Sequence, residues 1–227
     1  MSPPSFFAKN GKIVVLMSVF NSEPTVARAI RSVAHFAHAI VVVDGRYEGF
    51  DDPCGKQHLV SCDSTRREVL RTAHELGNSI ELLYTEVGQL APEYAKRNAM
   101  FDMVPPAATA LLLDDDEVFY GDPRSVRMFA AYGPKVGYLR LTYADGSERP
   151  HARLFTQPGV AYREDMRIIN EEGAVIANTA EEQKLNYDDC FVLSQAGLIE
   201  QKTARAKPRE AAALSYRERM NPRWYRK

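Results

Sequence analysis

The chain has 227 residues, 45% of them hydrophobic and 26% charged, which suffices for one domain with a sizeable core and excludes global disorder, collagen-like repeats and coiled coil. No apolar run approaches the ~20 residues of a membrane-spanning helix, and residues 1–12 lack an apolar core ahead of a small-residue cleavage site, so no secretory signal is expected. The net charge of −1 is unevenly spread: residues 201–227 hold nine basic and two acidic side chains, so the first 200 residues are acidic and the tail strongly basic.

Residues 13–19 (IVVLMSV) form a continuous apolar, β-branched run, the pattern of a strand covered on both faces. Asn21 and Ser22 can cap the next segment and Pro24 suits a first helical turn, after which Val26, Ile30, Val33 and Ala37 recur at helical spacing. His35 and His38 at its end suit the negative end of the helix dipole. A second buried strand is predicted over residues 40–43 (IVVV), ending at Asp44-Gly45. A helix starts at Asp63 or Ser64, with Val69, Leu70, Ala73 and Leu76 inward and Gly77 as its stop. Residues 80–84 give a third strand. Residues 92–104 give a helix with Ala95, Ala99 and Met103 inward, stopped by Pro105-Pro106, and residues 110–113 give a fourth strand.

Strands alternating with helices call for right-handed crossovers and a mostly parallel sheet flanked by helices. In such sheets ligands gather beyond the carboxyl ends of the strands, where Asp44 and the Asp114-Asp115-Asp116-Glu117 run both fall. The second half offers short strands over residues 137–142, 153–155, 160–162, 174–177 and 190–193, read as a mixed extension of the same sheet. A helix is predicted over residues 209–219, and Trp224 and Tyr225 sit among the basic residues that follow. Three cysteines, Cys54, Cys62 and Cys190, are an odd count without a CxxC pair. They argue against a disulfide framework and for a reducing, cytoplasmic setting. Cys54, His58 and Cys62 lack a convincing fourth zinc ligand.

The strongest chemical signal is LLLDDDE over residues 111–117. Four consecutive acids after a buried strand repel one another, and a divalent cation would offset that repulsion. Mg²⁺ or Mn²⁺ is held by one or two carboxylates plus substrate phosphates, and alternation lets Asp114 and Asp116 point together while Asp115 points away. The bland alternative is a solvated acidic turn with Glu117 starting a helix. Asp44 suits a ribose or base, and Arg97 beside Asn98 suits phosphate or amide recognition or a plain helix surface.

The order VVLMSVFN, VVVD, KRN and LLLDDD resembles the nucleotide-binding half of family-2-like glycosyltransferases with the Rossmann-like A-type fold, over residues 12–120. The resemblance implies one glycosyltransferase domain with a nucleotide-sugar-binding half (12–120), an acceptor half (121–200) and a basic tail or lid (201–227). It implies that Phe20, Asn21, Glu23 and Asp44 line the nucleoside pocket, that Arg97, Asn98 and Asp115 lie beside the donor, and that Asp114 and Asp116 form the metal-binding Asp-x-Asp motif. The family's Asp-Asp-Gly-Ser run is replaced here by Asp44-Gly45-Arg46-Tyr47. RPHARLF over residues 149–155 is similar to an Arg-Leu-Phe strand of bacterial members, and Glu164-Asp165 to the acidic pair before the acceptor site.

The implied activity is inverting, metal-dependent transfer of a sugar, a hexose by expectation, from a nucleotide diphosphate sugar (a UDP-sugar) to an acceptor hydroxyl. Asp165, with Glu164 second, is the expected general base. Lys202, Arg205 and Lys207 could close over the diphosphate as a lid. The tail's charge fits a polyanionic acceptor or a peripheral membrane contact. Two other classes stay open at this level: a nucleotidyltransferase, which VFNSEP disfavours because it has no glycine, and a non-catalytic nucleic-acid- or membrane-binding module built on the tail.

Overall fold

A computed structural model describes residues 11–48, 52, 57–88, 91–120, 123–132, 136–142, 148–156, 160–164, 166–170, 173–178 and 191–194. Four parallel strands make one half of its main sheet: β1 (Lys12–Val19), β2 (Ala39–Asp44), β3 (Glu81–Glu86) and β4 (Ala108–Asp114). The helices between them are α1 (Val26–Val33), α2 (Thr65–Leu76) and α3 (Glu93–Phe101). The chain continues with β5 (Val118–Phe119), α4 (Pro123–Tyr132), β6 (Val136–Thr142), β7 (Glu148–Thr156), β8 (Ala161–Tyr162), β9 (Arg167–Ile169), β10 (Val175–Asn178) and β11 (Phe191–Ser194). Eight strands pair in the order β3-β2-β1-β4-β7-β6-β11-β5. This is the expected α/β domain with a mostly parallel sheet flanked by helices.

The continuous apolar strands are explained by layers on both faces. Ile13, Val15 and Met17 of β1, with Ile40, Val42, Leu111 and Leu113, pack in the core that also holds Val26, Ile30 and Val33 of α1, Val69 of α2 and Val126 of α4. The alternate residues Val14, Leu16, Val41, Val43, Ala110 and Leu112 pack with Met100 and Phe101 of α3 and with Phe155, Tyr162 and Ile168. A one-residue slip would send every side chain of a strand to the other face, so the fit of both cores sets the register.

Several sequence expectations are corrected. Of the second-half strands predicted, those at β6, β7 and β11 extend the main sheet, which β5 also joins; β8, β9 and β10 pair as a separate three-stranded antiparallel sheet. These strands are too short for periodicity to reveal their partners, and β5, β9 and α4 carried no usable signal at all. Leu70 is half-exposed instead of inward, because α2 buries Thr65, Val69 and Thr72. The buried face of α3 is Lys96, Arg97, Met100 and Phe101 rather than Ala95 and Ala99, while Met103, beyond the helix end, does pack against the core. Thr25 takes the N-cap position of α1, while the Ser22 carbonyl accepts from the Thr25 and Val26 amides. Asn21, with φ of 51°, turns its side chain elsewhere. Ser64 takes the N-cap position of α2 without a side-chain cap bond, the Asp63 carboxylate instead accepting from the Thr65 amide, and Gly77 ends the helix at φ of 60°, a conformation that suits a residue without Cβ.

Cys62 is disulfide-bonded, against the expectation of free thiols, so the ground for a reducing compartment is lost. Asp52, His58 and Cys62 do come together. A sulfur in a disulfide is no thiolate ligand, though, and the Asp52 carboxylate instead accepts from the His58 amide at 2.7 Å and meets His58 Nδ1 at 2.8 Å. No described helix is long and apolar enough to cross a membrane. The predicted helix over residues 209–219, Trp224, Tyr225, Cys54 and Cys190 lie outside the described residues.

Candidate active site

Parallel pairing aligns the carboxyl ends of β2, β1 and β4: Val19 lies opposite Asp44 and Ser18 opposite Asp114. The two acids therefore stand about 10 Å apart by strand spacing, one strand to either side of β1. Alternation aims them at opposite faces of the sheet. Asp114 continues the row of Ala110 and Leu112 toward α3, whereas Asp44 continues the row of Ile40 and Val42 toward α2.

On the α2 side the structure is tightly knitted. Asp44 is 1% exposed; its Oδ1 accepts from the Ser61 amide (3.1 Å) and hydroxyl (2.8 Å), and its Oδ2 from the Tyr84 hydroxyl (2.5 Å). Burial raises its pKa, and these hydrogen bonds work against the rise. Asn21 donates its amide to Ser61 Oγ and accepts at Oδ1 from the Cys62 amide, both at 2.8 Å. The Phe20 amide donates to Ser22 Oγ, the Glu23 amide to Asp63 Oδ2, and Glu23 Oε2 accepts from the Ser64 amide. Asn21, Glu23 and Asp44 thus each contact the 61–65 loop, while Phe20 bonds to Ser22 and Asp44 also to Tyr84. Ser61 and Tyr84 carried no signal in the sequence, because each meets Asp44 only through the tertiary fold.

On the α3 side a buried chain of charges surrounds Asp114. Arg97 Nη2 lies 2.8 Å from Glu93 Oε1 and 3.3 Å from Asp114 Oδ1. From the antiparallel neighbour β7, Arg153 Nη2 lies 3.2 Å from Asp114 Oδ2 and donates to Glu117 Oε1 at 2.6 Å. Glu117 is buried rather than starting a helix. Its Oε2 accepts from the Asp114 amide at 3.0 Å, which closes the acidic turn on itself. Burial pushes Glu117 up to about 7, Arg153 opposing and Asp114 adding to the rise. Asp115 is buried, while Asp114 and Asp116 are half-buried; β4 ends at Asp114, so Asp115 and Asp116 lie in the turn and strand alternation does not run through them. Part of the acid–acid repulsion noted in the sequence is offset by Arg97 and Arg153, residues remote from the run.

Lys96 lies beside this network. It is 3% exposed, donates Nζ to the Gly45 carbonyl at 2.6 Å and the Val19 carbonyl at 3.4 Å, and stands 4.7 Å from the centre of the Tyr47 ring. Tyr47 in turn donates to Ser18 Oγ at 2.6 Å. Burial lowers the Lys96 pKa to about 7, against the pull of Asp44 and Asp115. Lys96 was missed although Met100, four residues on, could have marked its face as inward. Asn98 spends its amide on Tyr162, donating to that residue's carbonyl (2.8 Å) and accepting from its amide (2.7 Å), so it fastens α3 to β8. Glu164 is exposed in the β8–β9 turn. Asp165, Lys202, Arg205 and Lys207 lie outside the described residues.

Asp114 ends β4 and Asp116 follows in the turn; both are half-buried and offer carboxylate oxygens, the hard ligands a divalent cation takes. Residues Asp114 and Asp116 would hold it.

No protein-family model matches the chain, and no curated protein matches it. Among solved structures it is similar to TarS 1-349 of S. aureus in complex with UDP-GlcNAc, at 18% identity over 62% of this chain and 37% of the other, TM-score 0.41. It is also similar to the mannosyltransferase PcManGT of Pyrobaculum calidifontis in complex with GDP-Man and Mn²⁺, at 14% identity over 61% and 37%, TM-score 0.43. A third is glucosyl-3-phosphoglycerate synthase of Mycobacterium tuberculosis with Mn²⁺, UDP and glucosyl-3-phosphoglycerate, at 13% identity over 60% and 45%, TM-score 0.38. Each likeness is one of fold. The chain spans less than half the length of each of these proteins.

Proposed function

We propose that the chain is the glycosyltransferase domain of an inverting enzyme that takes a nucleotide diphosphate sugar, a UDP-sugar first, together with Mn²⁺ or Mg²⁺. The observation that carries this reading is Asp114: a half-buried carboxylate at the carboxyl end of a buried parallel strand, flanked by two buried guanidiniums. Such a site combines oxygen ligands for a cation with fixed positive charge for an anionic leaving group. When bound, the cation would offset the charge that develops on the departing diphosphate. Arg97 adds to that field from a water-poor setting, where fixed charges act more strongly than in solvent. The acceptor hydroxyl would lose its proton to Asp165, or to Glu164 as second choice. Residues 12–120 make the donor half in this reading, residues 121–200 the acceptor half, and Lys202 and Arg205 a basic lid.

The test is thermal unfolding of the full chain with nucleoside diphosphates and Mn²⁺ or Mg²⁺. A ligand at ~100 times its dissociation constant contributes roughly 2.7 kcal/mol, which is visible as a raised Tm. Asp114→Asn and Asp116→Ala should abolish the metal-dependent part of the shift. Asn at position 114 keeps the shape of a side chain that two guanidiniums face. Slow hydrolysis of nucleotide sugars with Mn²⁺ would then identify the donor without knowledge of the acceptor. A Tm that no common nucleoside diphosphate moves, with cation present, removes the proposal.

A further inference from the structure

Arg153 is 7% exposed and comes from β7, a strand that pairs antiparallel with β4 and places Leu154 opposite Leu111. A single nitrogen, Nη2, meets both Asp114 Oδ2 and Glu117 Oε1. Glu117 is fixed from its other oxygen by the Asp114 amide, and the Glu117 amide donates back to the Asp114 carbonyl at 3.0 Å. The guanidinium therefore has an anchor that does not depend on the group it orients. Asp114 Oδ1 is met from the opposite side by Arg97, itself held by Glu93. Two charges from separate elements, α3 and β7, thus fix both oxygens of one carboxylate. Burial makes that arrangement costly to leave unpaired, so the rotamer of Asp114 is narrowly set.

We propose that Arg153, anchored by Glu117, is the positioning residue of the metal-binding carboxylate: it holds Asp114 in the one orientation that a phosphate-bound cation can use. The proposal rests on the donor reading above and deepens it. Arg153 touches no sugar in this scheme. Removing it frees Asp114 to rotate and leaves Glu117 without its cationic partner, and loss of an outer contact to a ligating group costs ~10–100-fold in metal affinity.

The test is Mn²⁺ binding to the full chain followed by electron paramagnetic resonance, with and without a nucleoside diphosphate, alongside the nucleoside diphosphate's affinity in the absence of metal. Arg153→Met should weaken Mn²⁺ binding about tenfold or more and change the metal-free nucleotide affinity by less than about twofold. A merely structural role would move both or neither. Arg153→Lys should recover most of the loss, because one nitrogen makes both contacts. If Arg153→Met does not fold, Glu117→Gln keeps a neutral acceptor while loosening the anchor, and should weaken Mn²⁺ binding in the same direction. A folded Arg153→Met or Glu117→Gln chain that binds Mn²⁺ as the unsubstituted chain does overturns the assignment. Failure of the unsubstituted chain to bind any nucleoside diphosphate, with Mn²⁺ bound normally, sinks the donor reading instead.

Discussion

Lys96 carries a charge in a place that disfavours charge. Its ordinary pKa of 10.5 falls to about 7 on burial, so between those values the unfolded chain holds a proton that the folded chain lacks. Stability therefore rises with pH across that window, by at most about 1.4 kcal/mol per pH unit for this group, and the gain is lost as pH falls toward 7. Lys96→Met has no such slope. Its Tm relative to the unsubstituted chain should be highest near neutral pH and should decline steadily as pH rises toward the lysine's ordinary pKa, measured by calorimetry across buffers. Parallel pH profiles for the two chains would show that the lysine keeps its proton when buried. The same scale explains two limits of residue-type reasoning. Asn98 and Asp44 are polar side chains of the kind that bind nucleotides, yet the fold gives Asn98 to the Tyr162 backbone and Asp44 to Ser61 and Tyr84. A residue's chemistry states what it can bind; its neighbours decide what it does bind.

At the scale of elements, buried parallel strands were readable because continuous β-branched runs have few other uses, and β1, β2 and β4 each extend only one or two residues beyond the predicted bounds. The inner face of α3 was not, since Lys96 and Arg97 look like solvent-facing residues until Met100 and Phe101 are placed on the same stripe. Helix α4 docks on β6 through Gly137. A Cβ there would fall 2.5 Å from Phe129 Cε2 and 3.0 Å from Leu154 Cβ. Gly137→Ala should cost about 1–3 kcal/mol in urea unfolding, the range for overpacking. Combining it with Phe129→Leu should cost less than the two changes summed, because the smaller side chain vacates the contested space. Strict additivity would mean that the helix shifts rather than the ring.

At the scale of the whole molecule, the three-stranded sheet β8-β9-β10 meets the site at β8, where Tyr162 bonds to Asn98 and the Arg97 guanidinium stands 5.8 Å from its ring. Ligand binding at the strand ends should therefore be local. In hydrogen-exchange mass spectrometry, a nucleoside diphosphate with Mn²⁺ should slow exchange over residues 44–48 and 114–117 and leave β9 and β10 unchanged. Protection spread evenly over both sheets would mean that the two move as one unit.

The sequence by itself determined the parallel sheet, its cover on both faces, and the collection of Asp44 and Asp114 at one end. Those features follow from hydrophobic periodicity and crossover handedness, which are local or nearly so. Only the tertiary structure decided that Arg153 reaches across from β7, that Glu117 anchors it, and that Asp44 and Asp114 face opposite sides of the sheet. Such pairings depend on register between strands far apart in the chain, and an ion pair leaves no period in the sequence.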